Sequence, residues 1–462
     1  MVLKVEIISG ETIKPSSPTP LHLKSYRLSW IDQGNMPHPP ISLLLFYSGA
    51  NADPVEQRGS LKKSLSETLT RFYPLAGKIK DNLTIQCDDY GAYYLETRVN
   101  CQLSQVLTNP EANTLKKFLP SYDLHFRSGS SGSTTNNELD LKDLIQLVIQ
   151  VNVFDCGGMA IGISMCHKIG DLASMTTFLD SWARTSCRGT NSTADDQEMV
   201  TPYFYSASLF PPKKTLASCP FKKLSVRNKH VTRRFVFDAS RIAALKARAT
   251  NPLYVNNPTR VETVTALIWK CASRVGIKKS SESATRQSVA FVPVNLRGRR
   301  IPPMPEHLIG NLVQLAVASK STTAGASAKQ EDLSYLVQLV RDGISKIDND
   351  RVKEIQGYSD GGFGEFFREV YGRYRKGEVD LNTVISWCRF PFYEADFGWG
   401  KPHWVCCVQM EGKNVHILMD TKDGNGVEAW VTFGNQYEMD DFSSLIDCEF
   451  EISAETQRNS AT

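Results

Sequence analysis

Residues 147–171 read LVIQVNVFDCGGMAIGISMCHKIGD and contain a strong secondary-structure signal. Apolar side chains at 147, 149, 151 and 153 alternate with Gln150 and Asn152, and this period of two predicts a half-buried β-strand. Residues 155–158 (DCGG) supply a turn, and residues 159–165 predict the returning strand of a hairpin. Residues 172–183 then have the apolar face of a helix. This order of elements predicts a fold that mixes sheet and helix.

His167 follows the second strand of this hairpin, just before a glycine-containing turn. A strand end followed by a turn is where side chains are exposed to a cleft. Histidine side chains are largely neutral at cytosolic pH and can accept the proton of a hydroxyl. His167 is therefore a candidate general base, and a structural histidine at a strand edge is the alternative interpretation.

The spacing His-x-x-x-Asp is not specific by itself, because it occurs again at His416 and Asp420. His416 lies inside an unbroken strand pattern, so we predict a structural strand residue there. Asp171 stands at a helix start, where it either caps the helix or pairs with a distant cation, and so holds the turn that carries His167. Neighbouring side chains on a strand point to opposite faces, which argues against a nucleophilic pair of Cys166 and His167.

The chain has 462 residues, more than one hydrophobic core usually supports, so we expect two domains. We predict an N-terminal domain at 1–190 and a C-terminal domain at 231–462. Residues 191–230, where prolines and polar residues replace periodic patterns, are predicted to form a crossover linker.

The C-terminal half also mixes helix and strand patterns. Residues 259–274 predict a helix. Residues 403–410, 414–421 and 427–433 predict the three strands of an antiparallel meander. The predicted fold class is therefore mixed α/β (α+β), with mixed sheets flanked by helices.

Charge and cysteine content limit the possible functions. The net charge is only +4, and no Lys/Arg-rich run occurs, so we expect no nucleic-acid partner. The eleven cysteines form no CxxC pair and indicate free thiols in a reducing compartment. The first 17 residues lack a signal-peptide core, and no apolar run reaches about 18 residues. We therefore expect a cytosolic protein with no membrane partner and no metal site.

Residues 396–400 (DFGWG) form a second distinctive motif. Gly398 and Gly400 flank Trp399 and permit a tight backbone path with close packing. Neither these residues nor Asp396 is an obvious proton carrier for the reaction. From the residues alone, the motif predicts a structural loop.

The pair of motifs at 167–171 and 396–400 resembles the HxxxD and DFGWG signatures of the plant BAHD acyltransferases. Residues 72–78 (FYPLAGK) are similar to that family's YPLAGR-like segment, with Lys for Arg. Asn295-Leu296-Arg297 and Gly310-Asn311 fit landmarks of its second domain. The resemblance covers essentially the whole chain, and residues 13–20 and 427–430 resemble a branch of alkaloid-modifying enzymes.

The resemblance implies two chloramphenicol-acetyltransferase-like domains that meet at a solvent channel, joined by a crossover loop. It implies that Asp171 points away from the reaction and forms a structural salt bridge with Arg297. It also implies that Asp396, Gly398, Trp399 and Gly400 shape the architecture and the CoA side.

The implied reaction is transfer of an acyl group from acyl-CoA, expected to be acetyl-CoA, to a hydroxyl of a polycyclic alkaloid or terpenoid alcohol. His167 would act as general base in a ternary complex, without a permanently bound cofactor, in a monomer. Trp387 matches a family segment on the acceptor side, and its indole N–H is a candidate oxyanion donor, with a core tryptophan as the alternative. Ile385 stands where relatives often carry a hydroxyl residue.

Four residues are candidates for binding CoA. Thr259-Arg260-Val261-Glu262 predicts a capping box, and a helix N-terminus beside an arginine can hold a phosphate. An ordinary helix start with a solvated Arg260 is the alternative. Gly310 and Asn311 are assigned to the CoA side from the resemblance.

Other functions stay open at this stage. An amine acceptor, a larger acyl group such as tigloyl or benzoyl, and a non-catalytic small-molecule binding protein are the alternatives. A peptide-synthetase condensation domain is disfavoured, because Cys166 and Leu172 stand where that HHxxxDG motif has His and Gly. A dihydrolipoamide acyltransferase is disfavoured because no lipoyl-bearing segment is present.

Overall fold

A computed structural model describes residues 3–34, 40–48, 54–125, 144–190, 199–216, 230–277, 286–322, 332–357, 363–408 and 412–460. Within these residues the strands, numbered along the chain, are β1 Val5–Ile13, β2 Ser25–Arg27, β3 Ile41–Tyr47, β4 Lys78–Ile79, β5 Thr84–Gln86, β6 Ala92–Val99, β7 Leu147–Phe154, β8 Met159–Met165, β9 Val231–Phe237, β10 Arg286–Asn295, β11 Val313–Thr322, β12 Val379–Ser386, β13 Trp404–Cys406, β14 Val415–Asp420 and β15 Val427–Phe433. The α-helices are α1 Trp30–Gly34, α2 Pro54–Arg71, α3 Leu103–Thr108, α4 Ala112–Leu115, α5 Leu172–Thr190, α6 Ser206–Leu209, α7 Ala239–Ala249, α8 Arg260–Ile277, α9 Leu333–Ser345, α10 Asn349–Gln356, α11 Phe363–Arg375 and α12 Gln436–Ser460.

The chain folds into two compact units, each built from several segments. The first unit consists of Met1–Ser225, Pro303–Leu312 and Phe390–Gln409. The second consists of Val226–Pro302, Val313–Arg389 and Met410–Thr462. Each unit contains a six-stranded mixed sheet together with helices. The mixed α/β fold class with two units is therefore confirmed.

The division differs from the predicted domains in where it places residues 303–312, which include Gly310 and Asn311, and residues 396–400. The prediction assigned both segments to the C-terminal domain, whereas they belong to the first unit. For residues 396–400 the reason is that β13 follows them and pairs with β3, with Trp404 opposite Phe46. Much of the expected linker, at 191–198 and 217–229, lies outside the described residues, so its boundaries stay a prediction.

The large sheet of the first unit has the order β1-β6-β7-β8-β3-β13. Strands β6 and β7 run parallel, and the other neighbours run antiparallel. A smaller sheet has the order β2-β5-β4. Helix α5 buries an apolar face that includes Phe178 and Trp182. The Trp182 indole also donates to the backbone oxygen of Leu61 in α2 at 3.2 Å, which fixes the two helices together.

The hairpin predicted at 147–165 is confirmed, since β7 and β8 pair antiparallel with Leu147 opposite Met165. The prediction that β7 is half-buried is wrong. Gln150 and Asn152 are both buried, and their side-chain amides donate to the backbone oxygens of Lys117 and Phe118 at 3.0 and 2.9 Å. A segment distant in sequence covers this face and satisfies the amides, so burial does not leave them unpaired.

The sheet of the second unit has the order β11-β10-β12-β14-β15-β9. Strand β12 runs parallel to both of its neighbours, and the other pairs are antiparallel. The helix predicted at 259–274 is confirmed as α8. The predicted three-stranded meander is wrong in one strand, because β14 and β15 pair as expected while β13 belongs to the first unit.

No helix among the described residues is both long and apolar enough to cross a membrane.

Candidate active site

Residues 166–171 connect β8 to α5 through a tight turn. The backbone N–H of Cys166 donates to Gln146 at 2.7 Å, and that of Ile169 donates to the Cys166 carbonyl at 3.2 Å. Lys168 is fully buried, and its Nζ donates to the Gln33 carbonyl at 2.9 Å. The His167 side chain is only partly buried. The turn therefore holds a partly exposed imidazole on a backbone fixed at both ends.

Cys166 lies beside His167 in the sequence. Its thiol is buried, and burial raises the pKa of Cys166 to about 12. The thiolate is the nucleophilic form of cysteine, so this group is unreactive near neutral pH. The chemistry of the turn therefore rests with the imidazole.

Asn311 contacts His167 through both ends of its side-chain amide. Its Oδ1 lies 2.9 Å from His167 Nδ1, and its Nδ2 donates to the His167 carbonyl at 2.8 Å. The same Nδ2 lies 3.0 Å from Asp32 Oδ1. Since both neighbours of Nδ2 are acceptors, the amide orientation is fixed, and Oδ1 must accept a hydrogen bond from Nδ1–H. The neutral imidazole thus has its lone pair on Nε2, the atom that a general base needs.

Asp32 is buried in α1 and anchors Asn311. Its Oδ1 accepts from the Asn311 backbone N–H at 2.6 Å, and its Oδ2 accepts from the Ser29 N–H and hydroxyl at 2.8 and 2.6 Å. Burial raises the pKa of Asp32, while the hydrogen bonds from Ser29 and Asn311 oppose that rise. The hydrogen bonds described for its carboxyl group are all donated to it, which is the pattern of an ionised carboxylate.

Asp32 is not among the site residues predicted from the sequence. Ser29 and Asp32 have the spacing of a capping box, and the Asp32 N–H does donate to Ser29 Oγ at 3.1 Å. That signal could have located the start of α1. Nothing in the linear sequence relates this helix to His167.

Asp171 caps α5 and also binds the segment that carries Asn311. Its Oδ1 accepts from the backbone N–H and the hydroxyl of Ser174, both at 3.0 Å, and its Oδ2 accepts from the Leu312 N–H at 3.0 Å. The side chain therefore acts on the imidazole indirectly, through the backbone around Asn311.

The ion pair between Asp171 and Arg297 stays a prediction. Asp171 belongs to the first unit and Arg297 to the second. Within its own unit Arg297 is buried, and its Nη1 donates to Asn295 Oδ1 at 3.2 Å.

Gly310, next to Asn311, has a backbone angle and a close contact that favour glycine. Its φ is +141°, a conformation that L side chains rarely adopt. A Cβ at this position would lie 2.9 Å from Ser206 Oγ, and the Gly310 N–H donates to Ser174 Oγ at 3.1 Å. The close approach and the backbone angle both require the absence of a side chain.

Residues 396–400 form a loop that the carboxylate of Asp396 holds together. Asp396 Oδ1 accepts from the N–H groups of Gly398 and Gly400 at 2.8 and 2.9 Å. Both glycines have positive φ values, 106° and 107°. The Trp399 ring stacks on Phe397 with centroids 5.7 Å apart. These contacts are all within the first unit and are those of an architectural loop.

Thr259 and Arg260 lie at the start of α8 in the second unit. Thr259 forms a capping box with Glu262, whose N–H donates to Thr259 Oγ1 at 3.2 Å while its Oε2 accepts from the Thr259 N–H at 2.9 Å. Arg260 forms a salt bridge with Asp420 at 2.6 Å and also contacts the carbonyl of Gly424. The guanidinium therefore has a counter-ion within the chain, and its contact with a CoA phosphate stays a prediction.

Two further residues of the second unit were singled out in the sequence. Trp387 is buried just after β12, and its backbone N–H donates to Leu418 at 2.7 Å. Its role as oxyanion donor stays a prediction. His416 is fully buried in β14, its Nδ1 accepts from the Thr432 N–H, and burial lowers the pKa of His416 to about 3. The predicted structural role of His416 is confirmed.

The structure thus brings together four predicted site residues within the first unit and adds Asp32 to them. The four are His167, Asp171, Gly310 and Asn311. Asp396, Gly398, Trp399 and Gly400 also belong to the first unit, in the architectural loop, whereas Thr259, Arg260, Arg297 and Trp387 belong to the second unit. Within the part of the chain that the structure describes, no three His, Cys, Asp or Glu side chains are grouped to hold a metal ion.

A profile of the Transferase family matches residues 3–447. The chain belongs to this family. Its members are the BAHD acyltransferases, so the family suggested by the two motifs is confirmed. This BAHD transferase is accordingly an acyltransferase that takes an acyl-CoA co-substrate and a small-molecule acceptor.

Relatives of this BAHD transferase match over nearly their full length. Stemmadenine O-acetyltransferase from Catharanthus roseus is 37% identical over 460 residues, covering 97% of this chain and 100% of that protein. Vinorine synthase from Rauvolfia serpentina is 35% identical with the same coverage. Limonoid 1-O-acetyltransferase from Citrus sinensis is 34% identical, covering 93% of this chain and 94% of that protein.

Solved structures agree with the fold. The crystal structure of vinorine synthase matches with a TM-score of 0.76 at 34% identity, covering 95% of this chain and 96% of that one. The structure of F. sporotrichioides TRI101 complexed with coenzyme A and T-2 matches with a TM-score of 0.62 at 15% identity, covering 91% of this chain and 97% of that one. At that identity the second match shows the shared fold alone.

Proposed function

We propose that this BAHD transferase is an O-acetyltransferase that acetylates a hydroxyl of a polycyclic alkaloid or terpenoid alcohol, with His167 as general base. The observation that carries the proposal is the contact between Asn311 and His167, which leaves the lone pair of the imidazole on Nε2. The names of the relatives, which include a stemmadenine and a limonoid O-acetyltransferase, support the acceptor class and the acetyl donor.

The proposed reaction begins when the acceptor hydroxyl donates its proton to His167 Nε2 while its oxygen attacks the thioester carbonyl. Asn311 Oδ1 keeps its hydrogen bond to Nδ1–H throughout, and the carboxylate of Asp32 behind it favours the imidazolium that forms. Collapse of the tetrahedral intermediate expels CoA thiolate, which recovers the proton from Nε2. The ester leaves as product and the imidazole returns neutral.

The proposal also gives roles to four residues of the second unit, Trp387, Thr259, Arg260 and Arg297. The Trp387 indole N–H would donate to the oxyanion, and Arg260 with the N–H groups near Thr259 would hold a CoA phosphate. Asp171 and Arg297 would form a structural ion pair. We further propose a cytosolic monomer, in keeping with the ten cysteines of the described residues, which are free thiols.

The test measures thiol release from acetyl-CoA with a panel of alkaloid and terpenoid alcohols. His167→Ala is expected to lower acceptor-dependent release by about 10²–10⁴-fold, the usual contribution of a general base. His403→Ala is the matched control, because His403 is an exposed histidine whose described hydrogen bond uses only its backbone N–H. Wild-type release by a folded His167→Ala protein would contradict the proposal.

The same assay separates the other functions. Thiol release only with larger acyl-CoA donors would show that the donor is not acetyl-CoA. Release only with amine acceptors would indicate N-acylation. Acceptor binding without release for any donor would indicate a binding protein.

A second experiment tests the contact of Arg260 with CoA. If Arg260 holds a phosphate, Arg260→Ala raises the KM for acetyl-CoA while Asp420→Asn does not. If Arg260 only pairs with Asp420, both variants lower the melting temperature and leave the KM unchanged. The paired variants therefore distinguish a cofactor contact from an internal ion pair.

A further inference from the structure

Cys101 and Cys156 follow the ends of two neighbouring strands in the first unit. In the parallel pair β6 and β7, Val99 stands opposite Phe154. Each cysteine lies two residues beyond that last pair, Cys101 after β6 and Cys156 in the turn after β7. The backbones stay in contact there, because the Asp155 N–H donates to the Cys101 carbonyl at 3.2 Å. Backbone segments in hydrogen-bond contact lie close enough for a disulfide, whose residues have Cα atoms roughly 4.4–6.8 Å apart.

The side chain of Cys156 points toward the segment that carries Cys101. Its Sγ accepts from the backbone N–H of Leu103 at 3.3 Å, and Leu103 is only two residues beyond Cys101. Both thiols are free. Burial raises the pKa of Cys101, and the nearby charges of Asp155 and Cys156 raise it further.

Both sulfurs are within reach of small molecules. Cys156 is exposed and Cys101 is partly buried. Cys101 also contributes to the wall of a cavity of about 290 Å³, together with Asn100, Gln105 and Thr114. A small oxidant can therefore approach each thiol, which sets this pair apart from buried cysteines such as Cys166.

We propose that Cys101 and Cys156 form a reversible dithiol–disulfide pair that responds to small-molecule disulfides such as oxidised glutathione. Neither cysteine takes part in the proposed acetyl transfer. The pair is a modification site in addition to the active site, and its failure would leave the acyltransferase function unaffected.

The exposed Cys156 reacts first. Its thiolate attacks one sulfur of oxidised glutathione, forms a mixed disulfide and releases one glutathione. The thiolate of Cys101 then attacks the Cys156 sulfur and releases the second glutathione. The two thiol protons of the protein end on the two released glutathiones. The protein loses two electrons and oxidised glutathione gains them, so no further reactant is needed.

The disulfide would close the chain between the end of β6 and the turn that joins β7 to β8. Such a closure restricts the unfolded chain more than the folded one. Oxidation is therefore expected to raise the melting temperature. Because the pKa of Cys101 is raised, formation of the bridge is expected to accelerate above neutral pH.

The experiment treats the full chain with oxidised glutathione and measures its mass. The expected product has lost two hydrogen atoms through the new bridge and retains no glutathione on Cys101 or Cys156. Digestion with trypsin should give a cross-link between residues 99–116 and the peptide that contains Cys156. The Cys101→Ser protein should instead keep one glutathione on Cys156 as a mixed disulfide. The Cys156→Ser protein should lack the cross-link. Cys448→Ser, which removes another exposed cysteine, is the matched control and should behave like wild type.

A wild-type protein that carries separate glutathione adducts on Cys101 and on Cys156 would overturn the proposal, as would a cross-link that persists in Cys156→Ser. Phenylarsine oxide, which binds two adjacent thiols, gives a second measurement without oxidation. One equivalent should bind to wild type and to Cys448→Ser, and this uptake should be lost in either variant of the pair. Absence of uptake by the wild type would also contradict the proposal.

Discussion

The side-chain amide of Asn311 bonds to both the imidazole and the backbone carbonyl of His167, at 2.9 and 2.8 Å. The two contacts use opposite ends of the amide, so neither can change without the other. Because Asp32 holds the Nδ2 end as well, the Oδ1 end faces the imidazole in one orientation. Asn311 therefore sets the tautomer of His167. The described contact of Asp171 with this segment is to the backbone N–H of Leu312.

Removing the amide of Asn311 should lower kcat more than it changes KM. In Asn311→Ala the imidazole loses the acceptor for Nδ1–H, and the tautomer with its lone pair on Nε2 is no longer favoured. We expect kcat to fall about tenfold, less than the roughly 10²–10⁴-fold that a general base contributes, because the imidazole itself is retained. Steady-state kinetics with acetyl-CoA and an active acceptor measure the change. Asn113→Ala, at an exposed position in α4, is the control. An unchanged kcat with a raised KM would argue for a CoA contact instead.

Removing the carboxylate of Asp171 should act first on stability. Asp171→Ala leaves α5 without its cap and the Leu312 N–H without this acceptor, so we expect a loss of about 1–3 kcal/mol in unfolding free energy. Urea unfolding measures it. Asp180→Ala, which removes a partly exposed i,i+4 ion pair with Arg184 in the same helix, should cost only about 0.5 kcal/mol or less. Equal losses in both variants would refute the capping role.

Adding a methyl group to Gly310 should destabilise the first unit. Gly310→Ala combines a strained φ with a contact at 2.9 Å to Ser206 Oγ, so we expect a cost of at least about 1–3 kcal/mol. Thermal melting measures the change. Gly298→Ala is the control, because no atom would lie within 4 Å of its added Cβ. The same melting temperature for both variants would show that the segment around Asn311 adapts.

Lowering the pH should destabilise the second unit through protonation of Glu449. This buried carboxylate contacts Arg248 and Lys270 at 2.7 and 2.8 Å. Burial opposes its ionisation, but the hydrogen bonds and charges of Lys270 and Arg248 outweigh burial and lower the pKa of Glu449 below its usual 4.5. The ionised form therefore stabilises the fold above the unfolded pKa, and this contribution is lost as the pH falls through the lower folded value.

Glu449→Gln should thus melt at a lower temperature than wild type at pH 7. The difference in melting temperature between the two proteins should narrow as the pH falls below about 4.5, where the wild type loses the ion pairs of Glu449. Melting curves measured across this pH range test the prediction, with the exposed Glu354→Gln as control. A gap that stays constant with pH would mean that the charge of Glu449 contributes no pH dependence.

The sequence alone determined the elements whose signals are local. The alternation at 147–165 predicted the β7–β8 hairpin, and the apolar periodicity at 259–274 predicted α8, because both patterns follow from backbone geometry over a few residues. The two motifs at 167–171 and 396–400 also sufficed to indicate the family. His167 could be chosen over His416 because only His167 stands beside a break in its strand.

Tertiary structure decided which distant residues meet. Asn311 is 144 residues from His167 in the chain, and Asp32 is 279 residues from Asn311. No local pattern encodes such contacts, so the tautomer of His167 could not be read from the sequence. The sequence pattern likewise predicts an exposed polar face for β7, but in the fold a segment distant in sequence covers Asn152. Strand β13 pairs with β3 and not with β14. A side chain's partner and its burial depend on where the folded backbone brings other segments, which periodicity and motif spacing do not specify.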